Sequence, residues 1–286
     1  MTTLLASLGG YTLQARVCGP VGAPLAVLVH GMMEAGSVWE PLLPRLAATH
    51  RCVVLDLPWN GLQSGLWGRV LPPERWLSAA LERFQLCPDV WIAHSFGANT
   101  VLTLLAQHPA TPGATAPAAL VSPFYKALHR EVTWSLFQQH VNAFPDFVQQ
   151  SIRARTARPL APDVLQRMTR TACEHFGCYV WTEFWRLYSG MPFLPLHEVR
   201  QPLLVLAGGD DQFARLPDVR AMVDTLPAGR LRVFRDAGHF LLNDLRHDAV
   251  GAIAQFLQVR GDPMPVTPRK TCAGATPSFH STESTP

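Results

Sequence analysis

Short apolar runs alternate with segments of helical spacing along most of this chain. Runs at residues 25–29, 52–55, 90–93, 119–121, 203–206 and 231–234 are brief and rich in Val, Leu, Ile and Ala, the pattern of strands buried on both faces. Between them, helical spacing falls at residues 38–48, 74–84, 96–107, 217–225 and 245–257. Residues 11–17 alternate apolar with polar and predict an antiparallel entry strand. Strand and helix in turn predict an α/β fold, a mostly parallel central sheet flanked by helices.

The alternation stops at residues 123–200, which carry no strong strand signal and predict several helices rich in Trp and Phe. An insertion that follows a strand end sits over the carboxyl edge of the sheet, where open α/β sheets bind ligands. The expected organisation is a core of residues 1–122 and 201–260, a helical cap of residues 123–200, and a disordered tail at 261–286, rich in Pro, Ser and Thr.

Composition narrows the class. The 286 residues are 48% hydrophobic and 16% charged, enough apolar material for a sizeable core and too little charge for a disordered chain. A net charge of +3, without a basic block, argues against a nucleic-acid partner. The longest apolar stretches, such as 25–29 and 101–106, are too short to span a bilayer. No basic region precedes the first apolar residues, so no signal peptide is expected, and the six cysteines suit reduced thiols in a cytoplasmic protein. Cys173, His175 and Cys178 offer three potential metal ligands without a second pair at zinc spacing, so a packed-core role is expected and no metal or other cofactor. Oligomeric state is not legible.

The chemistry centres on Ser95. A strand at Val90-Trp91-Ile92 runs into Ala93-His94-Ser95-Phe96-Gly97-Ala98, and a helix follows at once. Strand, sharp turn and helix form the setting of a nucleophile elbow, whose usual pattern is G-x-S-x-G. Here Ala93 replaces the first glycine and remains small. The competing reading makes Ser95 only a helix N-cap.

Further motifs carry a resemblance. Val29-His30-Gly31-Met32 resembles the HG loop of the α/β-hydrolase superfamily, and residues 56–64 resemble its D-x-P-G-H-G-x-S loop, with Trp59 and Asn60 in place of Gly-His. The resemblance extends over about residues 10–260. It implies an oxyanion hole from the main-chain N–H groups of Met32 and Phe96, with His30 holding the turn. The order nucleophile, acid, histidine implies His239, in Asp236-Ala237-Gly238-His239, as the base; His247 falls in a helix. For the acid, Asp210 and Asp211 compete after the strand at 203–206, and the family spacing G-x-x-D from Gly208 selects Asp211. The alternative position after the preceding strand reads Val121-Ser122-Pro123-Phe124, without a carboxylate.

These residues imply a serine hydrolase acting through an acyl-enzyme on Ser95. The aromatic insertion points to a hydrophobic small-molecule substrate, with Met33, Trp134, Phe137, Trp181 and Trp185 as candidate contacts. Arg153, Arg155 and Arg158 could meet an anionic group or form a solvated face. An ester or thioester is the leading substrate class. Carbon–carbon bond hydrolysis or perhydrolysis would use the same triad, and a non-catalytic binder could retain the fold. An epoxide hydrolase or dehalogenase of this fold carries Asp at the nucleophile position, so Ser95 argues against both.

Overall fold

A computed structural model describes residues 1–156, 158–244 and 246–258. Its centre is one eight-stranded sheet in the order β1-β2-β4-β3-β5-β6-β7-β8. The strands are β1 (Thr2–Leu8), β2 (Tyr11–Cys18), β3 (Leu25–Val29), β4 (Arg51–Asp56), β5 (Val90–His94), β6 (Ala118–Val121), β7 (Leu203–Gly208) and β8 (Gly229–Phe234). β2 pairs antiparallel with β1 and β4, and all pairs from β4 to β8 are parallel.

Both faces of β3 to β7 are almost entirely buried, whereas the edge strand β8 alternates half-buried with exposed positions, and the two-residue period sorts the side chains. Val27, Val29, Trp91, Ala93, Val205 and Ala207 enter one apolar cluster. Ala26, Leu28, Val90, Ile92, Leu204 and Leu206 enter the other. This is why the strands read as continuous apolar runs rather than as alternating ones.

The helices are α1 (Leu43–Leu46), α2 (Pro73–Arg83), α3 (Phe96–Gln107), α4 (Trp134–Arg155), α5 (Pro162–Gly190), α6 (Leu216–Thr225), α7 (Leu241–Asp244) and α8 (Arg246–Gln258). The helix expected over residues 38–48 is instead a 3₁₀ turn, Gly36–Trp39, followed by the single turn of α1. Pro41 and Pro44 supply no N–H groups to a continuous ladder. β1 was not anticipated. It closes a hairpin with β2 through Gly9 and Gly10, whose φ values of 57° and 83° suit glycine. Its side chains alternate between exposed and half-buried, which leaves a weak apolar signal.

α4 and α5 lie in the stretch between β6 and β7 and pack against each other. α4 contains Pro145, and α5 is interrupted at Gly177, where φ is 62°. The expected tail at residues 261–286 lies outside the described residues. The chain passes from β3 outward to β4 and returns to β5 on the other side of β3. The carboxyl ends of β3 and β5 therefore flank a switch point of the sheet, where a crevice forms.

Candidate active site

Ser95 follows the last residue of β5 and precedes the first of α3. Its φ of 50° and ψ of −119° are strained for a residue with a Cβ. Glycine at 97 permits this tight turn, because a Cβ there would stand 2.3 Å from the His30 carbonyl oxygen. Ser95 makes no side-chain capping bond to α3. Its Oγ instead lies 2.8 Å from His239 Nε2. Ser95 therefore occupies the N-cap position of α3 without its side chain capping the helix.

His239 stands on the loop after β8, and its Nδ1 lies 2.8 Å from Asp211 Oδ2. Asp211 Oδ1 accepts the N–H groups of Phe213 and Ala214, both at 2.8 Å. Asp210, one residue earlier, is exposed. Ser95, Asp211 and His239 are all buried. Burial pushes the Asp211 carboxyl up, but the adjacent His239 ring and the two N–H donors outweigh it and hold the group below the usual carboxylate value. A carboxylate there orients the imidazole so that Nε2 faces the serine hydroxyl.

The loop after β3 approaches the same point. Neither the Met32 N–H nor the Phe96 N–H bonds to another described residue. Phe96 opens α3, so its N–H lies at a helix N-terminus, where negative charge is favoured. His30 is buried and ties two loops together: Nδ1 meets the Gly31 carbonyl at 2.7 Å, and Nε2 accepts the Leu57 N–H at 3.0 Å. Burial lowers its pKa, consistent with the neutral ring this pattern requires. Met33 sits at φ 59°, its N–H bonded to Trp59 and its carbonyl to Arg155.

A cavity with about 580 Å³ of non-protein space, open solvent at its mouth included, rises above Ser95. Met32, Ser95, Phe96 and His239 border it at the sheet. The insertion contributes His140, Ala143, Phe144 and Phe147 from α4, and Phe176, Trp181 and Phe184 from α5. Phe124 and Phe213 complete the wall. The four α4 residues have the spacing of one helix face, a signal present in the sequence but outweighed there by the larger Trp side chains.

Of the five candidate substrate contacts, only Trp181 lines this cavity. Trp134 is 71% exposed and stacks on Phe137, and Phe137 in turn packs against Trp185. Met33 borders other clefts of the insertion. Arg155 bonds the Met33 carbonyl and Ser151, and neither it nor Arg153 nor Arg158 lines the cavity. Among the described residues no group of three or more His, Cys, Asp or Glu side chains could hold a metal, and no helix is long and apolar enough to cross a membrane.

A family model described as the alpha/beta hydrolase family matches residues 26–253. A poly(3-hydroxyalkanoate) depolymerase from Ectopseudomonas oleovorans is 33% identical over 95 residues, covering 32% of this chain and 33% of that protein. This chain therefore matches about a third of that relative's length. Among solved structures, a haloalkane dehalogenase, DbeA, from Bradyrhizobium elkani superposes with a TM-score of 0.66 at 16% identity, covering 90% of this chain and 98% of that one. A putative aryl esterase from Burkholderia cenocepacia gives 0.64 at 18% identity, covering 90% and 98%. Identities this low establish a shared fold and leave the chemistry to the site.

Proposed function

The chain belongs to the alpha/beta hydrolase family, and from that premise we propose that it is a serine hydrolase cleaving an ester or thioester of a hydrophobic small molecule. The observation that carries this reading is the relay from Ser95 Oγ to His239 Nε2 and from His239 Nδ1 to Asp211, 2.8 Å at each step. The aspartate nucleophile of a dehalogenase has no counterpart, because the elbow position is Ser95. The depolymerase relative supports an ester over a carbon–carbon bond.

In the proposed mechanism, His239 takes the Ser95 proton as Oγ attacks the carbonyl carbon, and Asp211 stabilises the imidazolium. The oxyanion is received by the N–H groups of Met32 and Phe96, each worth about 3 kcal/mol in such a site. The imidazolium then protonates the departing oxygen or sulfur, the carbonyl re-forms, and the acyl group remains on Ser95. A water molecule, deprotonated by His239, repeats the attack and releases the acid.

Residues 123–200 act as the cap. The apolar wall of Phe144, Phe147, Phe176 and Phe184 supports an apolar or aromatic acyl group. A cytoplasmic setting suits Cys18 and Cys52, thiols that oppose each other across β2 and β4. A fluorophosphonate probe tests the mechanism. Labelling of the wild type but not of Ser95→Ala is expected, together with hydrolysis of p-nitrophenyl esters by the wild type alone. Equal labelling of both proteins, or of neither, refutes it.

A further inference from the structure

Behind the triad lies a second buried histidine–carboxylate pair. Glu34 and His94 are 4% and 1% exposed. Glu34, on the loop after β3, accepts the Gly31 N–H at 2.8 Å and meets His94 Nδ1 at 2.7 Å through the same oxygen. His94 ends β5, immediately before Ser95. Its Nε2 lies 3.2 Å from the main-chain carbonyl oxygen of His239, with the two rings 5.4 Å apart. Ser122, at the end of β6, donates its hydroxyl to that same carbonyl at 2.9 Å. Ser122 holds φ at 48°, a strained conformation for a residue with a Cβ.

The proton positions follow from the partners. A carbonyl oxygen only accepts, so His94 Nε2 carries a proton. Glu34, held at about 2 by the adjacent His94, is ionised at neutral pH and has no proton to give, so Nδ1 carries one as well. The ring is an imidazolium with both N–H groups engaged, the form in which a buried charge is tolerated. Burial pushes His94 down, and Glu34 outweighs it and raises the pKa above the usual histidine value. Burial pushes Glu34 up, and His94 overcomes that to hold it at about 2.

We propose that His94 and Ser122 are positioning residues that grip the main-chain carbonyl of His239, with Glu34 fixing the His94 ring, so that the His239 imidazole stays between Asp211 and Ser95. This rests on the reading of Ser95 as a nucleophile. His239 stands on a loop beside Gly238, where the backbone is least constrained. A misplacement of about 1 Å costs on the order of 100-fold in rate. Because Glu34 also holds the Gly31 N–H, one charged pair ties the oxyanion loop to the base loop.

The test uses a p-nitrophenyl ester and the fluorophosphonate probe on the full chain. His94→Phe is expected to lower kcat by about 10- to 100-fold with KM within about threefold, and to slow labelling in step. Ser122→Ala alone is expected to lower kcat by about 3- to 10-fold, and the double variant by more than the product, because the carbonyl then loses both donors. His94→Gln, which retains an N–H donor, is expected to recover most of the loss. His94→Phe and Ser122→Ala proteins that are folded by circular dichroism and keep kcat within about twofold of wild type overturn the proposal, as does a merely multiplicative double variant or a loss confined to KM. Nitrogen-15 spectra of histidine-labelled wild type decide independently of any variant: both His94 ring nitrogens should be protonated at neutral pH, and a singly protonated ring overturns the proposal. A wild type that the probe does not label refutes the hydrolase reading instead.

Discussion

Ser95, Asp211 and His239 leave three different strand ends and meet through two 2.8 Å hydrogen bonds. The aromatic residues of α4 and α5 meet through rings, with centroids 4.4 Å apart for Phe144 and Phe176 and 6.5 Å for Phe137 and Trp181. At the sheet edge each partner is a single atom with a direction, and no neighbouring residue can take its place. In the insertion each ring touches several others, and contact is non-directional. Substitutions should therefore be severe and specific at the sheet edge, and graded in the insertion.

The largest contrast is expected at adjacent carboxylates. Asp211→Asn should lower kcat by about 10⁴-fold, because the amide cannot hold the same imidazole tautomer. Asp210→Asn should stay within about twofold, as an exposed neighbour. Steady-state hydrolysis of a p-nitrophenyl ester measures both, and comparable losses would undo the assignment of the acid.

Next is the cavity wall. Phe144→Ala should reduce kcat/KM for long-chain or aromatic esters by about 10- to 100-fold, the worth of one lost ring contact surface. Acetate esters, whose acyl group offers a single methyl to the cavity wall, should lose less than about threefold. An equal loss for all chain lengths would mean that the insertion shapes the site rather than the substrate.

A smaller effect concerns acid. The Glu34 carboxyl is held at about 2, against an ordinary value of 4.5. A depressed carboxyl stabilises the fold above its unfolded value and loses that contribution as pH falls through its folded value. The melting temperature should therefore decline as pH drops from 4.5 towards 2, and less steeply in Glu34→Gln. Identical slopes would contradict the charged pair. His94 carries the opposite sign: its raised pKa stabilises below the ordinary value of 6.5 and is lost as pH rises through the folded value.

The smallest effect is expected at Trp134, 71% exposed and away from the cavity. Trp134→Ala should change kcat/KM by less than about twofold and stability by about 0.5 kcal/mol or less. A larger loss on any ester would extend the substrate site beyond the cavity.

The inner strands β3 to β7 were legible because they are buried on both faces and read as continuous apolar runs, and β2 because it alternates. The strand ends that carry Ser95, Asp211 and His239 were legible because each falls in a recognisable local pattern. Glu34 and His94 were not, since nothing in the spacing pairs residues sixty positions apart. Within the insertion, residue type drew attention to Trp134, Phe137 and Trp185, while the face formed by His140, Ala143, Phe144 and Phe147 is the one that turns to Ser95. Size and aromaticity do not say which way a helix is rotated.

By itself the sequence determined the alternation of strands and helices, the place of the insertion, and the order in which serine, aspartate and histidine arrive. Those follow from local rules: periodicity, turn chemistry, and the need for a small residue at a tight turn. Tertiary structure decided which helix face closes over Ser95 and that a second buried histidine–carboxylate pair stands behind His239. Both depend on how distant segments dock, and docking minimises exposed apolar surface and unpaired charge over the whole fold rather than along the chain.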